Sequence, residues 1–190
     1  MDNLITRTTE LAMSVTLAYV RPGDTVIDAT CGTGRDTAAL AEAVGEKGHV
    51  FAFDIQKEAL ELTEERLRSG GFSNVRLICG SFVRMDEYVS EGNVSAVVFN
   101  LGYLPGGDHG ITTTAEETLR GFETALKIIR PGGIVTAVLY DGHPEGAEEK
   151  RRVLEWAGTL EPKRYHAVFA DMLNQENHPP EILWITKKNN

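Results

Sequence analysis

Apolar, β-branched runs alternate with amphipathic helical runs along this chain, and no other feature of the sequence restricts its fold so strongly. The runs are TVIDAT (25–30), HVFAFD (49–54), NVRLIC (74–79), VSAVVFN (94–100) and GIVTAVLY (133–140). A strand with one face in water alternates apolar and polar residues. These runs are continuous instead, which predicts parallel strands covered on both faces. Helices are expected over Asp36 to Val44, Gln56 to Arg68 (stopped by Gly70-Gly71) and Thr114 to Arg130, the last opened by a Thr114-x-x-Glu117 capping box. A further helix is expected from near Pro144 to about Ala157, and one over roughly 4–19 precedes the first strand. Tyr165 to Asp171 and Glu181 to Lys187 are strand-like, but the loop MLNQENHPP between them has no room for a crossover helix, so the two must be antiparallel. The expectation is one α/β domain over 1–190, with a seven-stranded, mostly parallel sheet, an antiparallel last strand and helices on both faces.

The bulk composition narrows the function. A net charge of −9 argues against binding nucleic acid or anionic membrane by bulk charge. No apolar stretch approaches the roughly 18 residues that a membrane helix needs. The N-terminus MDNLITRTTELAMS lacks the pattern of a signal peptide. Cys31 and Cys79 form no CxxC pair, and the five histidines show no metal-ligand spacing, so no metal site is expected and the chain reads as cytoplasmic.

The segment DATCGTGRDT (28–37) places Gly32 and Gly34 where the first strand must turn into a helix. Glycine lets the backbone approach a ligand closely, and the helix N-terminus offers free N–H groups. Twenty residues beyond Gly34 the second strand ends in Asp54, where a carboxylate can accept both hydroxyls of a ribose. A dinucleotide fold wants a third glycine and a pyrophosphate at the helix end. Here that third position is Thr37, and Asp36 would repel phosphates. S-adenosylmethionine carries no phosphate, and its cationic ammonium suits Asp28 and Asp36, so the sign of the charges selects it. CGSF (79–82) sits where its adenine would be gripped, with Ser81 able to bond the base edge; a plain strand-end turn is the alternative.

The fourth strand runs into VFNLGYLPGGDHGITT (98–113), which holds an amide, a phenol and an acid in a glycine-rich loop. The Asn100 amide can accept a hydrogen bond from an incoming amine and turn its lone pair toward a methyl group. Tyr103 can stack on a base and Pro105 stiffens the loop. Asp108 or His109 is the candidate for removing the proton. Methyl transfer needs little beyond positioning and an unprotonated amine.

NLGYLPGGDHGITT, together with DATCGTGRDT, FDIQ (53–56), YDGHPEG (140–146) and NQENHPP (174–180), resembles the YtqB/MnmM family of class I S-adenosylmethionine-dependent methyltransferases, which has a Rossmann-like fold and was long labelled as rRNA methylases. The resemblance spans essentially the whole chain. It implies methylation of the 5-aminomethyl group of a modified (2-thio)uridine at the tRNA wobble position, with the anticodon stem-loop as partner, and it is compatible with a homodimer. The cofactor set is then Asp28, Cys31, Gly32, Thr33, Gly34, Asp36, Thr37, Asp54, Ile55, Gln56, Ser81, Phe82 and Asn100. Asn100, Tyr103, Asp108 and His109 would be catalytic, and Tyr103, Pro105, His143, Asn174 and Gln175 would meet the substrate. Thr33 departs from the asparagine frequent in the family, and Ser81 from a larger polar residue.

Lys150, Arg151, Lys163 and Arg164 are candidates for a phosphate-binding patch; the plainer reading of 150–152 is a solvated helix face, with Glu148 supporting Arg152 at i,i+4. The rival readings are a methyltransferase acting on rRNA or a small amine, an NAD-binding oxidoreductase and a non-catalytic nucleotide-binding module. The oxidoreductase is disfavoured by Thr37 and by the lack of a Tyr-x-x-x-Lys set, and the module by the polar loop at 100–109.

Overall fold

The computed structural model describes residues 4–102, 114–141, 144–175 and 179–189. Its strands are β1 (Thr25–Asp28), β2 (His49–Asp54), β3 (Val75–Cys79), β4 (Val94–Leu101), β5 (Ile129–Leu139), β6 (Tyr165–Ala170) and β7 (Glu181–Lys187). They form one sheet in the order β3-β2-β1-β4-β5-β7-β6. β1 to β5 are mutually parallel, and β7 runs antiparallel between β5 and β6. The reversed strand therefore lies inside the sheet, and β6 forms the edge.

The helices are α1 (Thr8–Leu17), α2 (Arg35–Val44), α3 (Lys57–Gly70), α4 (Ala115–Ile128) and α5 (Pro144–Gly158). Side chains alternate across the sheet, so each interior strand feeds two cores. Val26, Ala96, Val98 and Ile134 meet Met13 of α1 and Leu40, Ala41 and Val44 of α2. Ile27, Phe53, Val97 and Phe99 meet Phe122, Ala125 and Leu126 of α4 and Val153 and Ala157 of α5. β4 is buried at every position but Asn100, which is why its run is apolar throughout.

Three local departures from the sequence expectation have clear causes. The fourth helix stops at Ile128, because Ile129 is already extended (φ −66°, ψ 142°) and pairs with Val94. β5 then carries Pro131-Gly132-Gly133 through an irregularity in its pairing, with Gly132 at φ +75°. A bulge is a position where a strand tolerates proline. The N-terminal helix is split, a 3-10 turn at Leu4–Thr6 preceding α1. Between β3 and β4, a 3-10 run over Phe82–Glu87 that the sequence pattern did not announce is capped by the Ser81 hydroxyl and packs on α4.

The far edge of the sheet, where the parallel strands begin, is pinned by charge. Arg130, at the start of β5, donates through both terminal nitrogens to Asp24 in the turn before β1, at 2.8 and 2.9 Å. Asp24 also accepts the Arg21 N–H at 2.8 Å. Among the described residues no helix is long and apolar enough to cross a membrane. Replacing Asp24 by Ala should remove a forked, mostly buried pair and leave Arg130 half-buried without it, costing about 1–3 kcal/mol. The midpoint of thermal unfolding should fall by roughly 3–10 °C. An unchanged melting curve would show that the fork contributes nothing to stability.

Candidate active site

Because β1 to β5 are parallel, their C-terminal ends share one edge. The chain fills the sheet outward from β1 to β3, then returns to start the other half with β4. The order reverses between β1 and β4, and a crevice at such a reversal is where α/β sheets bind ligands. The backbone beyond β1 is divided between the two neighbours. Ala29 N–H donates to Val98 of β4 at 2.8 Å, whereas Cys31 N–H donates to Phe53 of β2 at 2.9 Å. The Thr30 hydroxyl accepts from Asn100 N–H at 2.7 Å and so ties the two halves at their seam.

The loop after β1 is built on glycine. Gly32 (φ +51°) and Gly34 (φ +76°) adopt left-handed backbone, and Gly34 caps α2. The Thr37 hydroxyl, wholly buried, donates to Asp28 Oδ2 at 2.6 Å, and Thr30 N–H donates to Oδ1 at 3.2 Å. Asp28 is itself almost fully buried. Burial, aided by the nearby Asp36, pushes its carboxyl up to about 7. Burial likewise raises the Cys31 thiol and Asp36. At Asp36 a hydrogen bond from the Asn100 side chain and the charge of Arg35 oppose that rise.

The Asn100 side chain thus lies beside Asp36. With its NH2 toward an ionised Asp36, which only accepts, its carbonyl oxygen is turned the other way. Tyr140, at the end of β5, packs its ring 3.3 Å from where a Cβ on Gly102 would lie. Burial and then Asp36 raise its phenol, which puts Tyr140 at this site although the sequence marked it only as part of a motif.

Asp54 ends β2 half-buried; its two oxygens accept from Gly32 N–H at 3.0 Å and Gln56 N–H at 2.9 Å. Beside it, Ile55 is 55% exposed, a bare apolar surface adjoining a carboxylate. Aliphatic surface beside a strand-end carboxylate, a glycine loop and flanking acids fit a cationic nucleoside such as S-adenosylmethionine.

The expected cofactor residues thus converge on one edge, but in two ways. Gly32, Thr33, Asp36, Asp54, Ile55, Gln56, Ser81 and Asn100 retain exposure there. Asp28, Cys31 and Thr37 are buried and support the loop from beneath. The side chain of Phe82 lies in the core against Phe99 at 5.4 Å, which leaves its main chain as the part able to face a ligand. Asn174 and Gln175 are exposed in the turn between β6 and β7. That turn lies on the same edge, since Glu181 pairs with Leu139 at the end of β5. Tyr103, Pro105, Asp108, His109 and His143 lie outside the described residues.

The expected phosphate-binding patch is not assembled. Lys150 is held by Asp141 at 2.5 Å and Glu181 at 2.8 Å, and Arg151 by Glu148 and Glu155 at 2.7 and 2.6 Å. Lys163 and Arg164 precede β6 at the opposite edge of the sheet. Glu148 engages Arg151 rather than Arg152 because the i,i+3 spacing allows a two-toothed fork, with both carboxylate oxygens met. Glu149 is buried and accepts from Thr118 of α4 at 2.6 Å, fixing the start of α5 against α4. Among the described residues no group of three His, Cys, Asp or Glu side chains is placed to hold a metal ion.

Comparison with known proteins agrees with this geometry. Residues 50–186 match the family described as "Putative rRNA methylase". Residues 1–83, the cofactor half, also match protein-L-isoaspartate(D-aspartate) O-methyltransferase. The chain is 38% identical over 193 residues to the chloroplastic tRNA (mnm(5)s(2)U34)-methyltransferase of Arabidopsis thaliana, covering 96% of this chain and 70% of that protein. A putative rRNA-methylase from Clostridium thermocellum superimposes with a TM-score of 0.92 at 41% identity, covering 98% of each chain. A putative methyltransferase from Streptococcus mutans, in complex with SAH, gives a TM-score of 0.87 at 32% identity over 95% of this chain and 98% of that one. The fold is that of the class I methyltransferases.

Two outcomes are expected at this site. Replacing Asp54 by Ala should lower S-adenosylmethionine affinity about tenfold to a hundredfold, since charge-assisted bonds are lost; calorimetry on the folded variant checks it, and an unchanged affinity would remove Asp54 from the ribose. Asp28 should impose a pH dependence on stability. Its folded carboxyl sits near 7 against 3.8 when free, so the fold holds the proton more tightly than the unfolded chain does. Stability from this group is complete below pH 3.8 and is lost as pH rises toward about 7. Asp28→Asn should therefore gain on the wild type in denaturant titrations as pH is raised from about 5 to about 8. A difference that stays constant across that window would refute the assignment.

Proposed function

The chain belongs to the putative rRNA methylase family, and from that premise we propose that it is an S-adenosylmethionine-dependent N-methyltransferase converting 5-aminomethyl(-2-thio)uridine at the tRNA wobble position to its 5-methylaminomethyl form. The observation that carries the chemistry is the place of Asn100 near the end of β4, the one position of that strand that keeps exposure, with its N–H fixed to the Thr30 hydroxyl at 2.7 Å. Its side-chain carbonyl oxygen is an acceptor there, and an amine that donates one N–H to it presents its lone pair in a defined direction. The plant tRNA methyltransferase, a relative whose name states its substrate, aligns with 96% of this chain, and this supports tRNA over rRNA or a small amine.

When bound, S-adenosylmethionine supplies an electrophilic methyl, the C–S bond breaking as the N–C bond forms. The chain's own part is positional. Asp54 and Ile55 hold the nucleoside, the Gly32–Gly34 loop shapes the seat, and the Asp36 carboxylate gives the edge the negative charge that a sulfonium and an ammonium both favour. The amine must lose a proton before it attacks, so turnover rises with pH. Tyr103, Pro105, Asp108, His109 and His143 belong to the two segments that leave this edge, and with Asn174 and Gln175 they are the groups we assign to the anticodon stem-loop and to proton removal. We take residues 1–190 to act as one catalytic domain in the cytoplasm. A homodimer is consistent with the bare edge strand β6, where Val168 and Phe169 are exposed.

The decisive experiment incubates the protein with labelled S-adenosylmethionine and two tRNAs of identical sequence, one carrying 5-aminomethyluridine and one unmodified, followed by nucleoside digestion. Only the first should be labelled, and equal labelling of both, or label confined to rRNA, would sink the proposal. Asn100→Ala should lower kcat by about a hundredfold while shifting cofactor affinity far less, because the amide orients the acceptor. Collapse of cofactor affinity with turnover preserved at saturation would reverse that role.

A further inference from the structure

The glycine loop is gripped from outside the site by α3. Thr63, wholly buried on that helix, donates its hydroxyl to the Gly32 carbonyl at 2.9 Å and lies 3.7 Å from Cys31 Sγ. One turn on, Arg66 Nε donates to the Thr33 carbonyl at 2.7 Å. At Gly34 a Cβ would fall 2.9 Å from the Thr63 side chain and 3.0 Å from its Cα. The second glycine is thus needed for more than its φ of +76°: the loop is pressed flat against a helix and has no room for a methyl group.

The Gly32 residue is consequently held at both its polar atoms. Asp54 takes its N–H at 3.0 Å and Thr63 binds its carbonyl. No peptide in the described residues is cis. In a trans peptide N–H and C=O point oppositely, so drawing the Gly32 carbonyl to α3 turns the Thr33 N–H away from the helix. A glycine-rich turn left to itself samples many backbone states, and ordering it on binding opposes affinity.

We propose that Thr63 and Arg66 are positioning residues for the cofactor loop, holding the Gly32 and Thr33 carbonyls against α3 so that the loop has its ligand-binding shape before the ligand arrives. Neither residue touches the ligand; both act through the peptide planes that do. This rests on the reading that the loop binds S-adenosylmethionine. It also explains the chain's economy: β2, through Asp54, and the helix that follows it fix the loop from two directions.

The test compares Thr63→Val, Thr63→Ser and Arg66→Gln with the wild type by calorimetry of S-adenosylmethionine binding, by the split between KM and kcat, and by thermal unfolding. Val keeps the shape but loses the donor, and should weaken binding about tenfold, with KM for the cofactor rising more than kcat falls. Ser restores the hydroxyl and should return affinity to within about threefold of the wild type. Arg66→Gln, on the surface, should weaken binding about threefold to tenfold with little change in melting temperature. If Thr63→Val does not fold, Arg66→Gln decides the matter. Wild-type affinity in folded Thr63→Val or in Arg66→Gln, or a Ser variant as weak as Val, overturns the proposal. A wild-type protein that binds no S-adenosylmethionine overturns the cofactor reading instead, so the two failures are distinct.

Discussion

The hydrogen bond from Thr37 to Asp28, 2.6 Å long and sealed from water, closes the loop on which the rest of the site is hung. It joins the last residue of β1 to the first turn of α2 across the intervening glycine turn. A buried carboxylate is expensive unless its lone pairs are met, and Thr30 N–H and the Thr37 hydroxyl meet them here. The same Thr30 receives the backbone of Asn100 through its hydroxyl, so an anchor that serves β1 also sets the end of β4. The glycine loop and the end of β4 are fixed by one small buried network rather than by two separate ones.

The sheet order gives that network its place. With β1 and β4 adjacent and their successors wound in opposite directions, the ends of β1, β2 and β3 lie on one side of the seam, and those of β4 and β5 with the β6–β7 turn on the other. The antiparallel β7 matters because it brings residues 171–175 back to the edge where β5 ends. The Lys150 triad holds that corner, binding Asp141 after β5 and Glu181 at the start of β7 to α5. Ion pairs of this kind fix geometry more dependably than they add stability. Here they brace the end of β5 against the start of β7.

The acidity of the chain has a local meaning. Asp28, Asp36 and Asp54 stand within one loop and one strand end, and burial presses the first two toward the neutral state. A cation brought close to these carboxyls favours their ionised form, so a sulfonium or an ammonium suits the cluster and a phosphate does not. Of the four basic side chains considered for a phosphate patch, Lys150 is held by Asp141 and Glu181 and Arg151 by Glu148 and Glu155.

How much of this could be read without coordinates follows from how local each signal is. HVFAFD is β2 residue for residue, because continuous apolar character requires both faces to be covered, whatever covers them. The same logic located the antiparallel pair, since nine residues cannot make a crossover. Glycines, capping threonines and strand-end acids declare themselves by what their backbone positions need, and so the turn at Gly32 and Gly34 and the end of β2 at Asp54 were legible. What the sequence could not settle were choices of partner between distant elements. Nothing near Thr63 or Arg66 in the chain says that a surface helix will grip a loop thirty residues earlier. The 3-10 turn capped by Ser81 puts the ring of Phe82 on Phe99 in the core, a partner that nothing in CGSF announces. Lys150 looked like a phosphate ligand until α5 packed it between two carboxylates. Periodicity and caps are properties of one segment in isolation, whereas the partner of a side chain depends on how two segments pack, and that is settled only when the cores on both faces of the sheet close.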